Sequence, residues 1–239
     1  MEKRNALGRF YDRTLGRVVP SAHFLPLLAF LLWDVLVYFL SNLLLADVAR
    51  GTLALPMDGK IPLIPAFITV YFASYFFWLW GFVLAARQSS RAFFGFFVRV
   101  MVSLLVTLGF FCLLPLEIPR PDVVGEGLFS DAVRLLYRID PPHNLFPSLH
   151  CFFSWIIYVQ VRGKKEYPLG LRLFFCLFSV AVFLSTLFTR QHYFLDIVGG
   201  VALAELSGLL LLTPLPRLTE RLFLWLDHLV FSKHTAPKR

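Results

Sequence analysis

Six long apolar stretches, at 24–45, 64–86, 93–116, 148–161, 169–188 and 192–213, leave this chain few ways to fold. Inside lipid no water satisfies backbone N–H and C=O groups, so an uninterrupted apolar run folds as a helix that bonds to itself. Crossing the hydrocarbon takes about 20 such residues. The run 148–161 is the short one and is expected to gain length from the loop before it. The prediction is an all-α fold, a six-transmembrane-helix bundle forming a single membrane domain over 1–239, with interfacial amphipathic N- and C-terminal segments. Composition agrees: 58% of residues are hydrophobic and only 16% charged, where soluble domains carry about 45–50% and about 25%. No polar linker divides the chain. The first run is too long for the apolar part of a cleavable signal and lacks a small-residue cleavage site, so it reads as an anchor.

The net charge of +8 does not point to nucleic acid, because the basic residues flank the apolar runs instead of gathering on a polar module. Lys and Arg number seventeen in 1–23, 87–99, 162–172 and 214–239, against six in 46–61, 117–147 and 189–191. Positively charged connections stay inside. Both termini are therefore expected in the cytoplasm, and the 117–147 and 189–191 connections on the extracytoplasmic side. The tail 217–231, with Arg217, Leu218, Arg221, Leu222, Trp225 and Leu229, reads as an amphipathic helix on the inner leaflet. The stretch carrying Arg9, Phe10, Tyr11, Arg13 and Arg17 is similar. Cys112, Cys151 and Cys176 lie in or beside apolar runs and read as small buried residues, with no metal or disulfide spacing.

On the outward side, His150, His192 and Asp196 stand at the mouths of these runs. A charged group at membrane depth costs about 3 kcal/mol or more unless partnered, so it marks a functional site by default. His192 and Asp196 are four apart, on one helix face, where the carboxylate reaches the imidazole. That contact fixes a tautomer and raises the basicity of the other ring nitrogen, which suits a nucleophile. In Pro147-Ser148-Leu149-His150, proline favours a first helical turn, whose open N–H groups and dipole attract an anion. Ser148 adds a hydroxyl, and His150 falls in the same turn. Arg120, between Pro119 and Pro121, offers a forked, always-charged guanidinium for phosphate oxygens. Gly199 and Gly200 permit close helix packing. Together these groups suit phosphoryl transfer with no metal and no cofactor. Their place beside the acyl region makes a phospholipid or lipid phosphate the expected substrate and the bilayer the expected partner.

At these residues the chain resembles the type 2 phosphatidic acid phosphatase superfamily, six-span enzymes with motifs K-x6-R-P, P-S-G-H and S-R-x5-H-x3-D. Arg120-Pro121, Pro147 through His150, and His192 through Asp196 represent the three motifs, and the likeness covers about 60–213. Leu113 stands where the first motif has lysine, Leu149 where the second has glycine, and Ser185-Thr186 where the third has serine and arginine. With two cations absent, the pattern looks more like the inositol phosphorylceramide synthase and sphingomyelin synthase side of the superfamily. The resemblance implies that His192 attacks phosphorus to give a phosphohistidine while Asp196 orients it. It further implies that His150 handles the leaving-group and acceptor protons, and that Arg120, Ser148 and Arg190 hold phosphate oxygens. Arg134 and Arg138 are secondary candidates.

Other readings remain open. A transporter or non-catalytic lipid-binding protein would also place His and Asp at membrane depth, although it would spread them through the bilayer. A metal site is disfavoured by the neighbouring arginine. Asp34 and Glu205 are expected to serve interhelical hydrogen bonding; Glu205, nine residues past Asp196, faces away from it. His143 is expected to make a loop hydrogen bond, and His23, His228 and His234 show no partner in sequence.

Overall fold

The computed structural model describes residues 4–44, 48 and 50–232, and His234 falls outside them. Among the described residues every regular element is helical: α1 (Ala6–Arg13), α2 (Ser21–Leu44), α3 (Ile68–Ala86), α4 (Ser90–Leu113), α5 (Leu128–Ile139), α6 (Leu149–Val161), α7 (Leu169–Phe188), α8 (Phe194–Leu206) and α9 (Leu215–Phe231). A 3-10 stretch, Ser207–Leu212, prolongs α8. Five segments are long and apolar enough to cross a membrane: Ser21–Leu44, Pro65–Ala86, Ser90–Leu113, Leu169–Phe188 and Phe194–Leu212.

The sixth expected span is different. Helix α6 has 13 residues, about 20 Å of rise, well short of the roughly 30 Å hydrocarbon core. The residues before it do not lengthen it, because Pro141, Pro142 and Pro147 interrupt helical hydrogen bonding there. Ser148 caps the helix, accepting from the Cys151 N–H at 3.4 Å, so Pro147 precedes the cap instead of opening the first turn. What α6 lacks in length it recovers in burial: α3, α7 and α8 pack around it, and Phe152, Ile156, Ile157 and Val161 are buried.

Aromatic side chains fill the core along α4, where Phe93, Phe94, Phe96 and Leu104 are shielded by α2, α3 and α6. Helix α9 lies across the α4 start, with Phe223 against Phe94 and Phe97, ring centroids 6.1 and 5.4 Å away. This leaves Leu218, Leu222, Trp225 and Leu229, spaced along one helical stripe, exposed. At the same end His23 finds a partner that sequence did not reveal: its ring stacks on Phe93, and Nδ1 bonds the Ala86 carbonyl at 2.7 Å. Glu205 accepts from the Trp155 indole at 2.8 Å and from both terminal nitrogens of Arg162, an interhelical contact of the expected kind. Cys151 is buried, whereas Cys112 is exposed, correcting the expectation that all three cysteines are buried.

At the opposite end the connections knit together. Gly51 pairs with Leu116, and Glu117 with His143. Leu116, Ile118, Leu145 and Tyr193 form a small apolar cluster over them. His143 makes the expected loop hydrogen bond, 2.8 Å to Asn42. Beneath this layer the starts of α6 and α8 touch directly: the Ser148 N–H donates to the Asp196 carbonyl at 3.0 Å. Glycine makes that approach possible, since a Cβ on Gly200 would lie 2.5 Å from the Ser148 carbonyl oxygen. Gly200→Val is therefore expected to lower the thermal unfolding midpoint in detergent, by the equivalent of about 1–3 kcal/mol of overpacking. Gly208→Val, in open space, serves as the control and is expected to melt near the parent.

Candidate active site

His192 is placed by a reversal of the chain after α7. The N–H groups of Gln191 and His192 both donate to the Thr186 carbonyl, at 2.9 and 3.2 Å, and Arg190 adopts a left-handed φ of 55° to make the turn. Asp196 is the third residue of α8, and its Oδ2 accepts from the Tyr193 N–H at 2.8 Å. The same oxygen lies 3.3 Å from His192 Nδ1. An imidazole whose Nδ1 donates to a carboxylate keeps its other nitrogen, Nε2, as the basic one.

Across the α6–α8 junction the His150 ring lies 5.7 Å from the His192 ring, centroid to centroid. His150 is packed against Tyr71 at 4.6 Å and Trp78 at 5.3 Å, both from α3. Arg120 reaches in from the α4–α5 connection. Its Nη1 donates to the carbonyls of Asp140 and Tyr137 at 2.5 and 3.2 Å, its Nη2 to Gln191 Oε1 at 2.8 Å, and its plane covers the Tyr137 ring. Arg120 thus bonds Gln191, the sequence neighbour of His192, and His192 faces His150. Arg120 Nε, Gln191 Nε2, His150 Nε2 and Asp196 Oδ1 are buried without a hydrogen-bond partner among the described residues. Unpaired buried polar atoms are costly and uncommon in native interiors. The Arg120 and Gln191 nitrogens are donors able to meet an oxyanion, and the His150 nitrogen can carry a proton to or from it.

Ser148 and Arg190, the other expected phosphate-holding residues, make bonds within the protein. Arg190 Nη1 donates to the carbonyls of Asp58 and Ile61 at 2.6 and 3.2 Å, fastening the α2–α3 connection. Ser148 is fully buried as the α6 cap. Arg134 is held by Asp131 and by the Val123 and Gly125 carbonyls. At the positions where the resemblance lacks cations, Leu113 is 81% exposed and Thr186 is buried against Cys151.

Sequence reasoning passed over Gln191, Tyr71, Asp58 and Asp140. Asp58 is buried and accepts from the Phe194 and Leu55 N–H groups, fixing the start of α8. Asp140 accepts from the Tyr71 hydroxyl at 3.2 Å. Burial raises the Asp140 pKa above the ordinary carboxylate value, opposed by the positive charge of Arg120. Only the Gln191 position, next to His192, carried a local signal.

From His150 and Asp140 a cavity of about 340 Å³ runs between α2 and α3, past Tyr75, Trp78 and Phe153 to Asp34. A second, of about 300 Å³, continues from Asp34 toward Leu27 and Leu31. Asp34 therefore lines an apolar groove that leads to His150. Among the described residues no group of three or more His, Cys, Asp or Glu side chains is arranged to hold a metal ion.

The family model described as the PAP2 superfamily matches residues 59–210. No curated protein and no solved structure matches the chain.

The Asp140 geometry has a pH signature. Its folded pKa lies above the unfolded one, so the stability it contributes is present when the group is protonated and is lost as pH rises through the folded pKa. Asp140→Asn is expected to raise the melting temperature relative to the parent at pH 7. That gain is expected to vanish below about pH 3.5, where both states of the parent carry the proton. Melting curves across this range check it.

Proposed function

This chain belongs to the PAP2 superfamily, a group of phosphatase-type enzymes, and from that premise we propose that it is a membrane lipid phosphatase or phosphotransferase working through a phosphohistidine on His192. One observation carries the reading. Two imidazoles lie 5.7 Å apart, one oriented by Asp196, and Gln191 beside His192 binds Arg120, each keeping a buried nitrogen without a partner among the described residues.

In the proposed first step, His192 Nε2 attacks phosphorus, an N–P bond forms, and the bond from phosphorus to the lipid oxygen breaks. His150 enters protonated and gives that proton to the departing oxygen. Tyr71 and Trp78 pack against its ring and hold it beside His192. Asp196 stabilises the positive charge on the phosphorylated imidazole. In the second step neutral His150 takes a proton from the acceptor, water or an alcohol, whose oxygen attacks phosphorus as the N–P bond breaks. Arg120, through its Nε, and Gln191, through its Nε2, stabilise the charge developing on the phosphoryl oxygens. Ser148 and Arg190 are assigned to this phosphate site as well, with Ser148 acting through the α6 start that it caps and Arg190 through the loop that carries His192.

A lipid substrate is supported by the apolar groove that runs from His150 along Tyr75, Trp78 and Phe153. The Lys and Arg distribution supports cytoplasmic termini and an extracytoplasmic site. The exposed stripe of α9, Leu218 to Leu229, supports an interfacial seat on the inner leaflet. Leu113 and Thr186, neutral where the wider family carries cations, favour a phosphodiester over a dianionic monoester. That is the specific support for a second form of the reading, transfer of a phospholipid headgroup as in inositol phosphorylceramide synthase.

His192→Ala is expected to lower turnover of every phospholipid tried by about ten-thousandfold or more, and to lose the acid-labile label that the parent retains from a phosphorus-labelled lipid. Retained turnover ends the assignment. Incubation with labelled phospholipid, with and without a second lipid alcohol, separates the two forms: a new labelled lipid marks the transferase, and inorganic phosphate as sole product marks the phosphatase.

A further inference from the structure

A cavity of about 700 Å³ lies at the end of the bundle away from the two histidines. Arg91 and Arg99 of α4, Lys164 of the α6–α7 connection and Arg217 of α9 line it, and Glu220 is the one carboxylate among its lining residues. Arg99 is the decisive member. It is only 5% exposed, nine residues into α4, which puts it about 14 Å along the helix from Ser90. Its Nη2 donates to the Ala204 carbonyl at 2.7 Å and its Nε to the Ser207 hydroxyl at 3.0 Å. Both partners are neutral. Among the described residues no carboxylate lies within ion-pairing distance of Arg99; Glu205, on the same helix as Ala204, is held by Arg162 at 2.6 and 2.8 Å.

A buried cation with no ion-paired carboxylate is expensive: Glu205 acts on Arg99 only from beyond pairing distance and is shared with Arg162, while three further cations line the same cavity. An anion in the cavity offsets that cost. We propose that this cavity binds a phosphate-bearing anion, either a soluble phosphate or the headgroup of an anionic lipid in the leaflet at that end. The chemistry is that of basic pockets between membrane helices, where guanidinium and ammonium groups hold phosphate oxygens. Phe96 and Leu211 give the cavity an apolar wall, along which an acyl chain can run. The site is separate from the catalytic reading and stands without it.

The test uses the full-length protein in neutral detergent. Thermal unfolding is followed while titrating inorganic phosphate, phosphatidylglycerol in mixed micelles, or phosphatidylcholine in the same micelles. The parent is compared with Arg91→Gln/Arg217→Gln, changes at the cavity mouth that avoid the buried guanidinium. An upward shift with phosphate or phosphatidylglycerol is expected in the parent, with a half-saturating concentration at least about tenfold higher in the double variant. Any anion bound at the histidines contributes equally to both proteins and cancels in that comparison. Saturation by phosphate alone identifies a soluble anion; a response to phosphatidylglycerol but to neither phosphate nor phosphatidylcholine identifies a lipid headgroup. No anion-dependent shift in the parent, or the same dependence in both proteins, overturns the proposal.

Discussion

The direct contact between the starts of α6 and α8 is the constraint on which the rest of the site depends. A single backbone bond, from the Ser148 N–H to the Asp196 carbonyl, joins two helix N-termini at a distance only glycine tolerates. Gly200 sits against the Ser148 carbonyl and Gly199 against the Phe146 ring. His150 lies in the first turn of α6 and His192 just before the start of α8, so bringing the two helix starts together brings the imidazoles together. The shortness of α6 follows from the same requirement: it begins where it must meet α8, not where the membrane begins.

Around this junction the protein places polar atoms it does not use internally. Arg120 is clamped by two carbonyls and by Gln191, yet its Nε has no partner, and Gln191 and His150 each keep an unpaired nitrogen. In an otherwise aromatic interior such a cluster costs stability, and the cost is relieved when an oxyanion arrives. Rigid placement also removes the need to reorganise the site during reaction, the property that makes fixed donors effective for charge developing on phosphoryl oxygens. The clamp on Arg120 and the Asp58 tether at the start of α8 provide that rigidity.

Much of this was legible in the sequence, and the reasons for the rest are physical. Long apolar runs dictate helices because lipid offers the backbone no alternative, and five of the six runs became helices of spanning length. The four-residue spacing anticipated the His192–Asp196 contact but not its form: His192 precedes α8, and Asp196 reaches back across the Tyr193 cap instead of along a helix face. The length of α6 was not legible, because it is fixed by prolines and by a partner helix rather than by its own hydropathy. Nor was Asp140, since its partners Tyr71 and Arg120 lie 69 and 20 residues away in sequence and only the fold unites them. Arg190 shows the converse limit: its position beside His192 is visible in the sequence, but the direction of its side chain, toward Asp58 and Ile61, is set by a left-handed backbone turn. His23 looked idle because its partner is a carbonyl 63 residues on.

The account turns on whether the two histidines share one phosphate. A structure determined with orthovanadate, a mimic of the pentacoordinate phosphoryl group, tests this most directly. The expected result is vanadium within bonding reach of His192 Nε2, with His150 on the opposite side and Arg120 and Gln191 on the equatorial oxygens. Vanadate bound elsewhere with the histidine cradle unoccupied, or imidazoles that turn away from it, contradicts the account.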